Sequence, residues 1–225
     1  IDRQINKRQG LNEEQERVLR RIRASIEARE RIDQVRSRLR FGFRQDLGDR
    51  IGRIFSSISF KPYKPVLSED YTLQLMESDQ SMITAGASTA ENQVLSLAFI
   101  GGIIDQAREY TAQRDLLPGP DSSVFPMVMD AAFGNLDPIY RSNVARRIPE
   151  LANQVIILVN KSQWQDEVAK NTAARIGKHY VISYQGPRED ITEDSVEIAG
   201  INYPLVKYRL EEVETSEIME VKLHG

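Results

Sequence analysis

The chain has 225 residues, 40% of them hydrophobic and 28% charged, with a formal net charge of −3. That length supports one large or two small domains with a sizeable core. The absence of cysteine excludes a disulfide framework and any thiolate metal site, and it fits a reducing, cytoplasmic compartment.

Charge divides unevenly: residues 1–53 carry fifteen Lys or Arg against nine Asp or Glu, so the remainder is acidic. A basic arm on an acidic body suggests a polyanion partner, although a solvated helix face explains the same charges. Residues 1–40 contain no proline and a single glycine. Ala28, Ile32, Val35 and Leu39 step by 4, 3 and 4 residues, the seam spacing of a coiled coil. Phe43, Leu47, Ile51, Ile54 and Phe55 widen that stripe, as if the coil ran down into a globular head. One long helix ending near Ser57 is expected.

Beyond it the period changes. SISFKPYKP and YTLQLMES alternate like strands, and Pro62 and Pro65 confine the first to an edge or a loop. From Val94 to about Tyr110 apolar residues recur at helical spacing. The run Val94–Ile104 falls short of the roughly 20 residues that span a bilayer, so no membrane partner is expected. LLPGPDSS reads as a loop. VFPMVMD reads as a fully buried strand. Asp137 and Pro138 form an N-cap and first-turn pair opening a helix to about Leu151. QVIILV repeats the buried-strand pattern, WQDEVAKNTAARIG is a helix stopped at Gly177, and HYVISY is another strand. This alternation predicts an α/β fold with a mainly parallel sheet. SVEIAGINYPLVKY should form a terminal hairpin turning at Ala199–Gly200, followed by an acidic tail. No signal peptide is visible and the chain opens on Ile1 rather than Met, so a piece of a longer protein is expected.

Three places could carry chemistry. Ser88-Thr89-Ala90-Glu91 is a capping box at the start of a long helix. It is either a helix start alone or a phosphate site made of exposed N–H groups, a hydroxyl and a positive helix end. Asp130 ends an apolar strand, where α/β sheets bind ligands, and its hard oxygen suits Mg²⁺ carried by nucleotide phosphates. Taken alone, it reads first as a strand-end Asp capping a loop. Asp137 follows seven residues later, and the next apolar strand ends in Asn160-Lys161-Ser162. Elsewhere signals are thin. His179 and His224 are too scattered for a metal site, Trp164 suits packing, and Arg141, Arg146 and Arg147 are solvated by default.

In this order, after a coiled coil, these segments resemble the C-terminal ATPase lobe of the SMC-like ABC ATPases, which include the double-strand-break repair and SbcC-type proteins. The resemblance runs from about Ile1 to Tyr184. Ala87–Glu91 lies at the position of the family's LSGGE signature, Val124–Asp130 at its Walker B strand, Gly134-Asn135-Leu136-Asp137 at its D-loop, and Asn160-Lys161 at its switch segment. Thr89 and Ala90 replace both signature glycines, Ala131 replaces the glutamate that polarises the attacking water, and Lys161 replaces the switch histidine. The interval from Ser88 to Asp130 is longer than usual, and the loss of that glutamate looks more like the DndD branch of DNA sulfur modification and phage defence.

The resemblance implies residues 1–57 as coil and 58–225 as lobe, with ATP and Mg²⁺ sandwiched between two heads of a homodimer. Ser88, Thr89, Ala90 and Glu91 would face the partner's nucleotide, Asp130 the metal, and Asn135 and Asp137 the dimer seam. Lys161 or Gln163 would orient water in place of the missing carboxylate. It also implies DNA as substrate and partner subunits of a modification or nuclease complex. No G-x-x-x-x-G-K-[ST] loop occurs; the resemblance implies that the phosphates are held by the protein's own N-terminal ATPase lobe, separated from this one by the coiled coil. The rival expectation is a coiled-coil tether whose degenerate head binds a protein and hydrolyses nothing.

Overall fold

A computed structural model describes residues 2–77, 84–112, 126–164, 166–187, 193–208 and 213–221. The segment LLPGPDSS lies outside them. The opening residues form a single helix, α1 (Asp2–Ile58), of 57 residues and therefore roughly 85 Å long at 1.5 Å per residue. Its apolar stripe divides into two parts. Val18, Ile22, Ile32, Val35 and Leu39 are exposed, whereas Leu47, Ile51, Phe55 and Ile58 are buried. The upper seam thus has no cover among the described residues, and the last three turns enter the core.

That core forms where α1 meets α2 (Thr89–Ala112). The two helices approach closely because α2 presents Gly101 and Gly102. A Cβ on Gly102 would lie 3.1 Å from Ile51 Cγ1, and one on Gly101 would lie 2.8 Å from Leu151 of the next helix. Above this contact Gln106 donates to the Phe43 carbonyl at 3.1 Å, and Arg50 pairs with Asp105 and Glu109. An antiparallel pair, β1 (Tyr63–Leu67) and β2 (Leu73–Glu77), lies beside α1. Pro65 sits in β1 opposite Leu75, in a two-stranded ribbon where both strands are edges.

After the loop comes β3 (Pro126–Asp130), parallel to β4 (Gln154–Leu158), with Asp130 opposite Leu158. The helix between them, α3 (Pro138–Leu151), buries Tyr140, Val144, Ala145, Ile148 and Leu151 at helical spacing. A short α4 (Asp166–Thr172) continues into a 3₁₀ turn. A second sheet has the order β6-β7-β5-β8, from β5 (Tyr180–Gly186), β6 (Asp194–Ile198), β7 (Ile201–Tyr208) and β8 (Thr215–Glu220). Trp164 meets His179 edge-on at 5.0 Å, and Lys161 reaches Asp194 at 2.7 Å, joining this sheet to the segment after β4.

Three expectations are corrected. The sheet is not mainly parallel: β3–β4 and the short β5–β7 contact are parallel, while β1–β2, β5–β8 and β6–β7 are antiparallel. The reason is that the last third of the chain returns by a hairpin and a terminal strand rather than by helical crossovers. The apolar runs of β3 and β4 are not buried on both faces. Met127 points inward, but Val128, Ile156 and Leu158 are exposed by 63%, 44% and 43%. The acidic tail contains β8, which pairs antiparallel with β5 as a largely exposed edge strand. The hairpin turn falls at Ala199–Gly200, both with positive φ (52° and 77°), as tight hairpins require.

The close α1–α2 contact sets a clear expectation. Gly102→Leu should destabilise the protein by about 1–3 kcal/mol through overpacking against Ile51. Gly52→Ala, whose Cβ meets nothing within 4 Å, should gain roughly 0.5–1 kcal/mol from helix propensity. Urea midpoints of the two variants moving in the same direction would refute this packing.

Candidate functional site

The carboxyl end of β3 and the amino ends of α2 and α3 hold most of the residues singled out in the sequence. At α2 the capping box is complete. Ser88 N donates to Glu91 Oε2 at 2.7 Å, and Glu91 N donates to Ser88 Oγ at 3.3 Å. Ser88 and Thr89 are exposed and Ala90 is half-buried, while Glu91 is 1% exposed and ion-pairs with Lys61 through its other oxygen. Burial alone would raise the Glu91 carboxyl, but the Lys61 ammonium and the Ser88 hydrogen bonds hold it below the ordinary range. The Ser88 hydroxyl hydrogen remains free to face outward, because its oxygen is the acceptor in the box.

Asp130 is exposed, and its carboxylate makes no hydrogen bond or ion pair among the described residues. The chain then turns sharply. Ala131 adopts φ 52°, a left-handed conformation that costs a non-glycine residue roughly 1–2 kcal/mol. It is fastened on both sides: Ala131 N donates to Leu158 O at 3.0 Å, and Gly134 N donates to Ala131 O at 3.0 Å. Ala132 and Phe133 are buried beneath the turn. Gln93, one turn into α2, donates to Ala132 O at 2.8 Å, tying the capping-box helix to the Asp130 turn. No pattern in the sequence pointed to Gln93.

Asp137 caps α3, accepting from Ile139 N and Tyr140 N at 2.9 Å each. Its exposed neighbour Asn135 leads into the cap, and Arg141 donates to Leu136 O at 3.1 Å. After β4, Asn160 organises a turn. Its side chain accepts from Gln163 N at 2.9 Å and Ser162 Oγ at 2.7 Å, and its carbonyl accepts from Gln163 N and Trp164 N at 3.0 Å. This turn separates the two water-orienting candidates. Lys161 projects to Asp194 on the second sheet. Gln163 is buried with its Nε2 against Gly134, where a Cβ would sit 2.9 Å away. Its Oε1 is buried without a hydrogen-bond partner. The structure therefore brings Gln163 to the Asp130–Gly134 turn and sends Lys161 elsewhere.

No cluster of three or more acidic or histidine ligands occurs among the described residues. A single exposed, uncommitted carboxylate fits Mg²⁺ of the kind that keeps its waters and takes its remaining ligands from phosphates. It does not fit an all-protein metal cage.

No protein-family model matches the sequence, and no curated protein matches it. Among solved structures the chain is similar to an SMC ATPase studied for ATP-driven dimerization and DNA-stimulated activation, at 13% identity and TM-score 0.41 over 83% of this chain and 89% of that one. It is similar to an Smc head domain with an extended coiled coil bound to the C-terminal domain of ScpA, from Pyrococcus furiosus, at 14% identity and TM-score 0.41 over 78% and 35% of the two chains. A third is the SMC head domain from Thermotoga maritima, at 14% identity and TM-score 0.38 over 80% and 48%. The chain thus spans less than half of the second and third structures.

The cap geometry yields an outcome independent of any ligand. Asp137→Ala should cost about 1 kcal/mol of stability, within the 0.5–2 range for lost N-caps. Asp137→Asn should keep most of it, because an amide oxygen still accepts. Equal losses in chemical denaturation would mean that the carboxylate does more than cap α3.

Proposed function

We propose that this chain is the C-terminal half of an SMC-like ATPase, residues 1–57 supplying coil and 58–225 the lobe, which binds and hydrolyses ATP between two paired heads to act on DNA. The observation that carries the proposal is Asp130: exposed, unbonded, and at the carboxyl end of a parallel strand, beside a turn held to the exposed start of a 24-residue helix. A carboxylate whose only task was to cap its loop would be consumed by hydrogen bonds, as Asp137 is.

The unfinished sheet supports a missing partner lobe. Parallel strands are normally covered on both faces, yet among the described residues β3 and β4 stand as a pair with one apolar face open. An N-terminal lobe carrying the phosphate-cradling loop would cover that face and supply the nucleotide's main grip. In the assembled site Asp130 would hold Mg²⁺, which supplies Lewis-acid stabilisation of the transferring phosphoryl group. Ser88 and the first turn of α2, with Thr89 and Ala90, would meet the partner head's nucleotide, Glu91 holding the Ser88 N–H from beneath, while Asn135 and Asp137 would line the seam. Ala131 behind Asp130 favours the DndD-type branch and slow turnover. Modification or nuclease subunits are the partners expected there, and DNA modification, defence or repair the setting.

Two tests bear on the full-length protein. Asp130→Ala should abolish Mg²⁺-dependent hydrolysis with the fold intact by circular dichroism. Turnover at the parent rate would reduce Asp130 to a loop residue. Ser88→Arg should block ATP-driven head pairing more than ATP binding, since position 88 is exposed and accepts the larger side chain sterically. Unchanged ATP-dependent dimers in light scattering would exclude contact in trans.

A third comparison addresses the missing base. Water orientation by a carboxylate is typically worth about 10²–10⁴-fold, or roughly 3–5 kcal/mol of barrier. If nothing replaces it, Ala131→Glu should accelerate phosphate release, because position 131 is exposed and leaves room for the carboxylate. If Gln163 already orients the water, Gln163→Ala should slow release and Ala131→Glu should change little. No effect from either variant, with DNA present, would overturn the assignment of this turn to the catalytic position and favour the non-hydrolysing tether.

A further inference from the structure

Glu91 is a buried carboxylate in the first turn of α2, and its cation comes from outside that helix. Lys61 lies three residues beyond the end of α1 and is partly exposed, with its ammonium on Glu91 Oε1 and 5.7 Å from the Tyr63 ring. The connector that carries Lys61 is anchored at every step. Ser59 N donates to Phe55 O at 2.8 Å, Asn143 of α3 donates to Ile58 O at 2.9 Å, Ser59 Oγ lies 3.2 Å from the Tyr140 hydroxyl, and Lys61 N donates to Ser59 Oγ at 3.2 Å.

We propose that Lys61 is a positioning residue for the exposed start of α2: it neutralises Glu91, so that Glu91 can grip the Ser88 backbone N–H without opposing an anion in front of the Ser88 hydroxyl. The inference rests on the reading that Ser88 meets a phosphate, and it adds a residue outside the signature segment. A helix start attracts anions through its free N–H groups and dipole. A carboxylate buried in the same turn competes for that potential and repels a second anion. With Lys61 in place the pair has no net charge, and the hydrogen-bonding geometry of the box is kept while its repulsion is cancelled. Because the connector is tied to α1 and α3, Lys61 also fixes Ser88 relative to the base of the long helix.

Among the described residues, the groups facing Glu91 are few. Lys61 comes from the connector, Ser88 from α2 itself, and Tyr140 from α3, its phenol held above the ordinary range by burial. Asp137 acts on Tyr140, and Tyr63 of β1 faces the ammonium. Lys61 is thus the cation that sets the charge state of Glu91. The sign of its effect follows. Paired, Glu91 stays ionised as pH falls toward the ordinary carboxylate range near 4.3. Unpaired, the buried carboxylate takes up a proton at a higher pH, because burial disfavours its charged form.

The test uses the full-length protein as parent, Lys61→Arg, Lys61→Met and Lys61→Met/Glu91→Gln. Isotope-edited infrared titration of the glutamate carboxyls without nucleotide, with Glu91→Gln identifying the Glu91 band, should show a midpoint raised by about one pH unit or more in Lys61→Met and restored in Lys61→Arg. ATP-dependent head pairing of Lys61→Met should weaken about tenfold near pH 8, the equivalent of one unit of pKa. It should recover as pH falls through the raised midpoint, and in Lys61→Met/Glu91→Gln at all pH. An unmoved midpoint overturns the proposal, and so does a double variant as impaired as Lys61→Met. Failure of the parent heads to pair with ATP would instead remove the trans-phosphate reading, and the infrared shift would then decide alone whether Lys61 governs Glu91.

Discussion

The described structure hangs on one contact, the burial of the last three turns of α1 against the glycine-notched side of α2. Ile51 and Phe55 are fully buried there, each such side chain contributing about 1.5–3 kcal/mol by removal from water. Other elements reach the same junction. Leu151 of α3 fills the space left by Gly101, β1 lies along α1, and Asn143 holds the final α1 carbonyl. A long helix that protrudes on one side is therefore rigidly continuous with the amino end of α2 on the other. Lys61, just past that junction, carries the continuity into the capping box.

A second constraint is what the chain leaves undone. Inward side chains of β3 and β4 complete a core with the three helices, while the outward Val128, Ile156 and Leu158 stay exposed among the described residues. The upper seam of α1 is exposed in the same way. Hydrophobic surface arranged at strand and coil periodicity, rather than scattered, is the mark of an interface. The two open surfaces lie apart, one on the outer length of α1 and one on the β3–β4 pair that carries Asp130.

Local chemistry made several elements legible in advance. Asp137-Pro138 announced the start of α3, Ser88 and Glu91 announced α2, and Ala199-Gly200 the hairpin, because each depends on side chains acting on their own backbone. The sheet was misread for a different reason. Runs such as PMVMD and QVIIL show that a strand has two apolar faces, but not that the cover for one of them lies in the same stretch of chain. The β8 strand was hidden by its glutamates, which suit an edge facing water. Pairings across the chain, Lys61 with Glu91, Gln93 with Ala132, and Gln163 against Gly134, carry no periodicity or spacing that a linear reading could detect. They make the site one unit rather than three motifs.

The central claim is that this chain contributes half of a nucleotide site: a metal ligand and a trans-facing helix start, without the loop that grips the phosphates. Calorimetric titration of the folded 225-residue chain with ATP and Mg²⁺ tests it most directly. The account predicts no binding in the micromolar range, with affinity appearing when the N-terminal lobe is joined to it. Micromolar binding by the isolated chain would contradict the half-site.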